Sequence, residues 1–228
     1  MFSMNRILMT GVATFAVASS ATGAVLVNPS FEDDPVNNGA AVTGSMTGWT
    51  AAPSNRAGNQ DFDPANASQI PLPTDGEQHA FTNGPSAGGP ASLSQVTPYT
   101  ITNGETYTLT VDMGQVSNFS DSEGTIRLFG SVSGLGVALT NSNGTAELAG
   151  IQALNQSTNY LTDQSVTYTA LASGDPFEGE QLGIALIGSS GIQVIWDNVR
   201  LDITPVPEPS SLALLGLGGL CVLRRRRS

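Results

Sequence analysis

One histidine, His79, and a surplus of carboxylates are the groups of this chain able to move protons or hold a metal. The chain has no lysine, which excludes Schiff-base chemistry. One histidine and one cysteine are too few for a zinc site. A Ser-His-Asp triad is arithmetically available, but no nucleophile elbow is expected. A glycosidase needs two placed carboxylates. With 19 acids some pair always lies close, so their number decides nothing. A non-catalytic protein is expected.

Two acids are singled out by position. Glu32 lies in "NPSFEDD" near the start, and Asp197 in "IQVIWDNVRLDI" near the end. The first and last strands of a β-sandwich can lie side by side. Glu32 and Asp197 with backbone carbonyls would then suit a structural calcium ion, which takes roughly 6–8 oxygens. In the last strand Ile195, Asp197, Val199, Leu201 and Ile203 share one parity. Asp197 is then either a buried carboxylate needing an arginine, a donor network or a metal, or it sits at a β-bulge that turns it outward. Trp196 has the opposite parity and is the candidate for stacking on a sugar ring at the sheet surface; a core tryptophan in the other layer is its alternative. Trp49 reads as a core or loop anchor.

The elements that must position these residues are short strands. "ETYTLTVDMG" alternates Tyr107, Leu109, Val111 and Met113 with Thr106, Thr108, Thr110 and Asp112, the period of a half-buried strand. Further strands are expected at 24–27, 46–51, 78–82, 92–97, 125–132, 135–139, 165–171, 181–189 and 192–203. Turn signals such as "TNGE" at 102–105 and "NSNGT" at 141–145 separate them. Residues 33–75 read as long loops with one or two strands inserted, and 150–164 as ambiguous, with room for a short helix. The fold class is all-β, an antiparallel two-sheet sandwich flanked by an N-terminal signal helix and a short C-terminal apolar helix.

The two ends are addresses. Residues 1–24 carry an early Arg6, an apolar stretch and a small-residue finish, the plan of a secretory signal peptide cut between Ala21 and Ala24, with the bond after Ala24 favoured. At the other end, Val206, Pro207, Glu208 and Pro209 precede the apolar run 211–223, and Arg224, Arg225, Arg226 and Arg227 close it. Thirteen apolar residues are short for a spanning helix, and the arginines stay cytoplasmic by the positive-inside rule. Between them, 25–204 is one domain with three arginines, 18 acids and a formal charge of −15. Nucleic acid and anionic lipid are poor partners for it. The single cysteine, Cys221, lies in the tail, so no disulfide staples the domain.

The tail "VPEPSSLALLGLGGLCVLRRRRS" resembles a PEP-CTERM sorting signal. That resemblance implies, for 205–228, export by the general secretion machinery, membrane anchoring through the tail and processing by an exosortase. It also implies final placement at the cell surface or extracellular matrix of an envelope-bearing, exopolysaccharide-making bacterium. "NPSFE", "DGEQHAF…SLSQ…NGETYTLTVDMG" and "WDNVRLDI" together resemble a galactose-binding-like jelly roll of the carbohydrate-binding-module kind. This second resemblance implies a jelly-roll sandwich, often with calcium between first and last strands, and matches Glu32 and Asp197 to the calcium-ligating acids. The function implied is an exported, non-catalytic surface or matrix component that binds polysaccharide. A purely structural or adhesive matrix protein is the alternative, and a polysaccharide hydrolase or lyase is a third class.

Overall fold

The computed structural model describes residues 22–23, 26–37, 39–62, 65, 70–84, 89–116, 122–152, 160–190 and 192–205. The sorting motif Val206–Pro209, the run 211–223, the four terminal arginines and the flanking helices expected at both ends lie outside the described residues. The described residues fall in one compact unit, Ala21–Val206.

Two antiparallel sheets make the sandwich. The first runs β12 (Leu161–Thr169), β7 (Glu105–Gly114), β14 (Gln193–Pro205), β5 (Gln78–Asn83), β4 (Ala57–Asp61), β2 (Ala41–Thr43), with β1 (Thr22–Gly23) also on β14. The second runs β11 (Glu147–Gln152), β8 (Glu123–Gly130), β13 (Gln181–Ser190), β6 (Ser92–Thr100), β3 (Thr50–Ala52). A small hairpin, β9 (Thr140–Asn141) and β10 (Gly144–Thr145), turns through the "NSNGT" signal.

Alternation fills the space between the sheets. Tyr107, Leu109, Val111 and Met113 of β7 meet Ile126 and Leu128 of β8 and Leu182, Ile184 and Leu186 of β13 in one buried cluster. Each such side chain contributes about 1.5–3 kcal/mol by leaving water. The opposite face of β7 is hydroxylated: Thr106 and Thr108 bond across to Thr169 and Thr167 of β12, each at 3.1 Å.

The last strand carries the fold's main irregularity. Its pairing with β7 shifts register between Asp197 and Arg200, and Asn198 has φ of 51°. Asparagine tolerates this left-handed conformation better than most residues. The bulge inverts the parity of the strand. Trp196, Val199, Leu201 and Ile203 face the core, whereas Ile195 packs in a separate outer cluster. Trp196 is completely buried, and its indole N–H donates to Thr82 Oγ1 at 2.8 Å. The surface-stacking role expected for Trp196 is therefore corrected: the bulge puts it between the sheets, where no sugar reaches its faces. Gly124 of β8 makes room for it, because a β-carbon there would collide with Trp196 and Met113. Trp49 is the anchor expected, packed on Phe31 with ring centroids 5.2 Å apart and donating to the Asn28 carbonyl.

Candidate functional site

Asp197 is buried on the outer face of the first sheet, beside the turn 74–78. Both alternatives for it are realised together: there is a bulge, and the carboxylate is nonetheless buried and held by a donor network. Its Oδ2 accepts Thr74 N–H at 2.6 Å, Asp75 N–H at 2.9 Å and the Thr74 hydroxyl at 3.1 Å. Its Oδ1 accepts Asn198 N–H at 2.8 Å. Burial outweighs these donors and pushes the carboxyl up to about 6.

Asp112 is its register partner on β7. Asp112 accepts Asp163 N–H at 2.8 Å, Asn198 Nδ2 at 3.1 Å and Arg200 Nη2 at 3.3 Å; Arg200 also reaches Asp163 at 2.8 Å. Tyr160 packs alongside with Ile70, Val116, Ile195 and Phe62. Its buried hydroxyl makes no hydrogen bond, and burial, then the charges of Asp197 and Asp112, hold it well above the ordinary phenol range. The β14–β5 pairing ends at Trp196 opposite Ala80, so Asp197 and His79 are the next residues on their strands. His79 is fully buried, neither ring nitrogen is bonded, and burial alone lowers it to about 3.

Glu32 binds the same turn. Its Oε1 accepts Glu77 N–H at 2.8 Å and Gln78 N–H at 2.6 Å. Gln78 returns the contact, its Oε1 accepting Val36 N–H at 2.9 Å. The first loop and the last strand thus both bond to residues 74–78. The donor set does not fit calcium, however. Both Asp197 oxygens and Glu32 Oε1 already face N–H or O–H donors, whose positive ends would repel a cation. Among the described residues no three His, Cys, Asp or Glu side chains are grouped to hold a metal.

The sequence also holds the pattern Gly-x-Ser-x-Gly at Gly84–Gly88, against the expectation that no such elbow occurs. It links strand β5 to strand β6, whereas a nucleophile elbow joins a strand to a helix. Residues 85–88 themselves lie outside the described set.

A second candidate site is a cleft of about 310 Å³ beside the first loop, lined by Asp33, Val36, Val42, Ser45, Met46 and Asn59 among others. Asp34 fixes its wall by accepting Thr47 N–H at 2.6 Å and the Thr47 hydroxyl at 3.0 Å. Asn59 donates to the Asp34 carbonyl at 2.7 Å. Asp33 is exposed at the rim, and Val42 is 53% exposed. Carboxylate, hydroxyl and apolar surface therefore meet in one small concavity. Sequence reasoning missed it, because Ala41–Thr43 and Ala57–Asp61 carry almost no strand signal.

Residues 205–227 match the PEP-CTERM protein-sorting motif. The chain is thus an exported protein, anchored through its C-terminus and processed by an exosortase. No curated protein matches it by sequence. In fold it is similar to a Stig cyclase of Fischerella sp. TAU crystallised with (3Z)-3-(1-methyl-2-pyrrolidinylidene)-3H-indole, at 21% identity and TM-score 0.67, over 82% of this chain and 100% of that one. A cyclase from the same organism aligns at 21% identity and TM-score 0.66, over 83% and 100%. The CBM22-1 xylan-binding domain from Paenibacillus barcinonensis aligns at 14% identity and TM-score 0.46, over 75% and 99%. Residues 23–202 match the HpiC1-like family, described as HpiC1 cyclase, and the chain belongs to that family.

Proposed function

We propose that the exported protein is a non-catalytic component of the cell surface or matrix that binds polysaccharide through the cleft bordered by Asp33 and Val42. The observation that carries this reading is the cleft's mixed lining. A pyranose has hydroxyls around its edge and C–H groups on its faces, so it needs polar partners beside apolar surface. Asp33 and Ser45 supply the first, and Val36 and Val42 the second. The cleft is of the size of one or two sugar units. The domain's charge of −15 favours a neutral polymer over an anionic one.

Replacing Asp33 by alanine is expected to weaken retardation of the exported protein in polysaccharide-containing native gels. A hydrogen bond to a charged group contributes roughly 1.5–3 kcal/mol, so the apparent dissociation constant should rise roughly ten- to hundredfold. Because Asp33 is exposed, the melting temperature should stay unchanged. Unaltered retardation would move the ligand away from this cleft. Absence of retardation by any polymer would leave the purely structural or adhesive reading.

A second reading is favoured by one observation. Asp197 is a carboxyl raised to about 6, next to Tyr160 and an apolar cluster. A buried acid beside apolar surface is the arrangement that protonates a small apolar substrate near neutral pH. With the family membership, this supports acid-promoted cyclisation at Asp197. Against it, both oxygens of Asp197 are engaged by the turn 74–78 and the bulge, so a substrate would have to displace that turn.

A further inference from the structure

We infer that, while the tail anchors the protein, the loop 131–137 rests on the bilayer surface and buries the Val132 side chain at the boundary of headgroups and acyl chains. The loop reads Ser-Val-Ser-Gly-Leu-Gly-Val and holds no charge, in a chain with 19 acids. Val132 is 84% exposed, the highest value of any large apolar side chain among the described residues, and Val137 is also exposed. The exposure is built into the loop. Glu180 accepts the Val132 and Ser133 N–H groups at 2.9 and 3.0 Å and the Ser133 hydroxyl at 2.9 Å. Gly134 N–H donates to the Gly130 carbonyl at 2.8 Å, and Arg127 Nη1 to the Leu135 carbonyl at 2.6 Å. Leu135 packs back onto Phe129, Ala185 and Ile187. Val132 thus projects from a fixed backbone, and seating it costs little ordering.

The topology puts this loop at the end of the sandwich from which the anchored tail departs. β14 ends at Pro205, paired with Glu105 at the start of β7. The turn 101–104 joins Glu105 to Thr100 of β6, Thr100 pairs with Gln181 at the start of β13, and Ser131 N–H donates to the Gln181 carbonyl at 2.9 Å. Only residues 206–210 separate Pro205 from the apolar run at 211–223. They span at most roughly 18 Å when fully extended. β14 is 13 residues long, so the opposite end, where Ile192 is 54% exposed, lies on the order of 40 Å away. The anchor therefore holds the Val132 end, and not the Ile192 end, beside the bilayer. One valine is too small to recruit a free protein. On a tethered protein the contact is intramolecular, with an effective concentration on the order of millimolar. The domain's charge of −15 and exposed Glu178, two residues from Glu180, disfavour anionic lipid, so the surface touched is zwitterionic. The contact rests on the anchoring alone and is independent of the polysaccharide reading.

The test is hydroxyl-radical labelling read by mass spectrometry. The ratio of labelling at Val132 to that at Ile192 is measured for the tail-bearing protein in phosphatidylcholine vesicles and for the processed, tail-free protein in buffer. A several-fold lower ratio in the vesicles is expected. An equal ratio in the two samples, or protection of Ile192 instead, overturns the inference. A second arm uses Val132→Asp in the tail-bearing protein. The side chain is exposed, so the melting temperature should not change, while labelling of Val137 should rise to its level in the tail-free protein. Protection of Val137 that persists in this variant overturns the role given to Val132.

Discussion

Replacing Trp196 with alanine is expected to destabilise the whole domain rather than to remove a ligand contact. The side chain is fully buried between the sheets, packs over Gly124 and satisfies the Thr82 hydroxyl. Removing a buried tryptophan typically costs about 3–5 kcal/mol in lost transfer energy and residual cavity. For a domain of this size each kcal/mol lowers the melting temperature by roughly 2–4 °C, so a fall of roughly 6–20 °C is expected. Trp196→Phe should fall between the two, since it refills most of the space but leaves Thr82 without its donor. Calorimetry of the three proteins checks the order. An alanine variant that melts like the parent would return Trp196 to the surface and reinstate it as a candidate sugar platform.

The second large effect concerns pH, and it arises from two buried groups with opposite signs. His79 is held neutral down to about 3, while the unfolded chain takes the proton near 6.5. The unfolded state therefore binds more protons below 6.5, and stability is lost as pH falls through that window. Asp197 behaves the other way. Its folded value is raised to about 6 from 3.8, so the folded state takes the proton first and stability is gained as pH falls from about 6 to 3.8. Each slope is about 1.4 kcal/mol per pH unit. Between 6 and 3.8 they oppose one another, and the parent protein should show little dependence on pH from this pair.

Single variants should uncover the two slopes. Asp197→Asn leaves His79 alone, and its melting temperature should fall by roughly 5–10 °C relative to the parent between pH 6 and pH 4. His79→Leu leaves Asp197 alone and should gain stability over the same interval. It should also be no less stable than the parent at pH 7, because it removes two buried nitrogens that make no hydrogen bond. Asp175 and Glu180 are held below their ordinary values and begin to lose their contributions as pH approaches the ordinary carboxylate range, but they do so equally in parent and variants and cancel from the comparison. Parallel melting curves for parent and both variants would contradict the burial of the pair.

Much of the sandwich was legible because its central strands obey the simple period. β7 reads directly, and β5, β6, β8, β13 and β14 fall within a few residues of their expected spans. β4, "AGNQD", was not legible. It holds no branched or aromatic residue, and it is a strand because its backbone pairs with β5 and lets β2 approach at Gly58, where a β-carbon would strike the Val42 carbonyl. Residues 135–139 were expected as a strand and contribute only a bridge from Ala138 to Phe129.

The site was legible in its parts and not in its orientation. The positions of Glu32 and Asp197 in the first and last elements single them out, but the turn 74–78 that both of them bind is visible only in the fold. The faces of Trp196 and Asp197 depend on one left-handed residue, Asn198. Parity counting carries no information across a bulge, because the extra residue reverses every side chain on one side of it. The donor environment of Glu32 and Asp197 was not legible for a related reason. Sequence shows acids, and only the fold shows that backbone N–H groups of 74–78 are aimed at them.

Polysaccharide binding at the cleft beside the first loop, as proposed, is open to a single test. The most direct measurement is native affinity electrophoresis of the exported protein and its Asp33→Ala variant through a panel of neutral polysaccharides, including the host's own exopolysaccharide. Retardation of the parent by at least one polymer is expected, with the variant running nearly as in a blank gel while melting at the same temperature. Equal mobility of both proteins in every gel would contradict it.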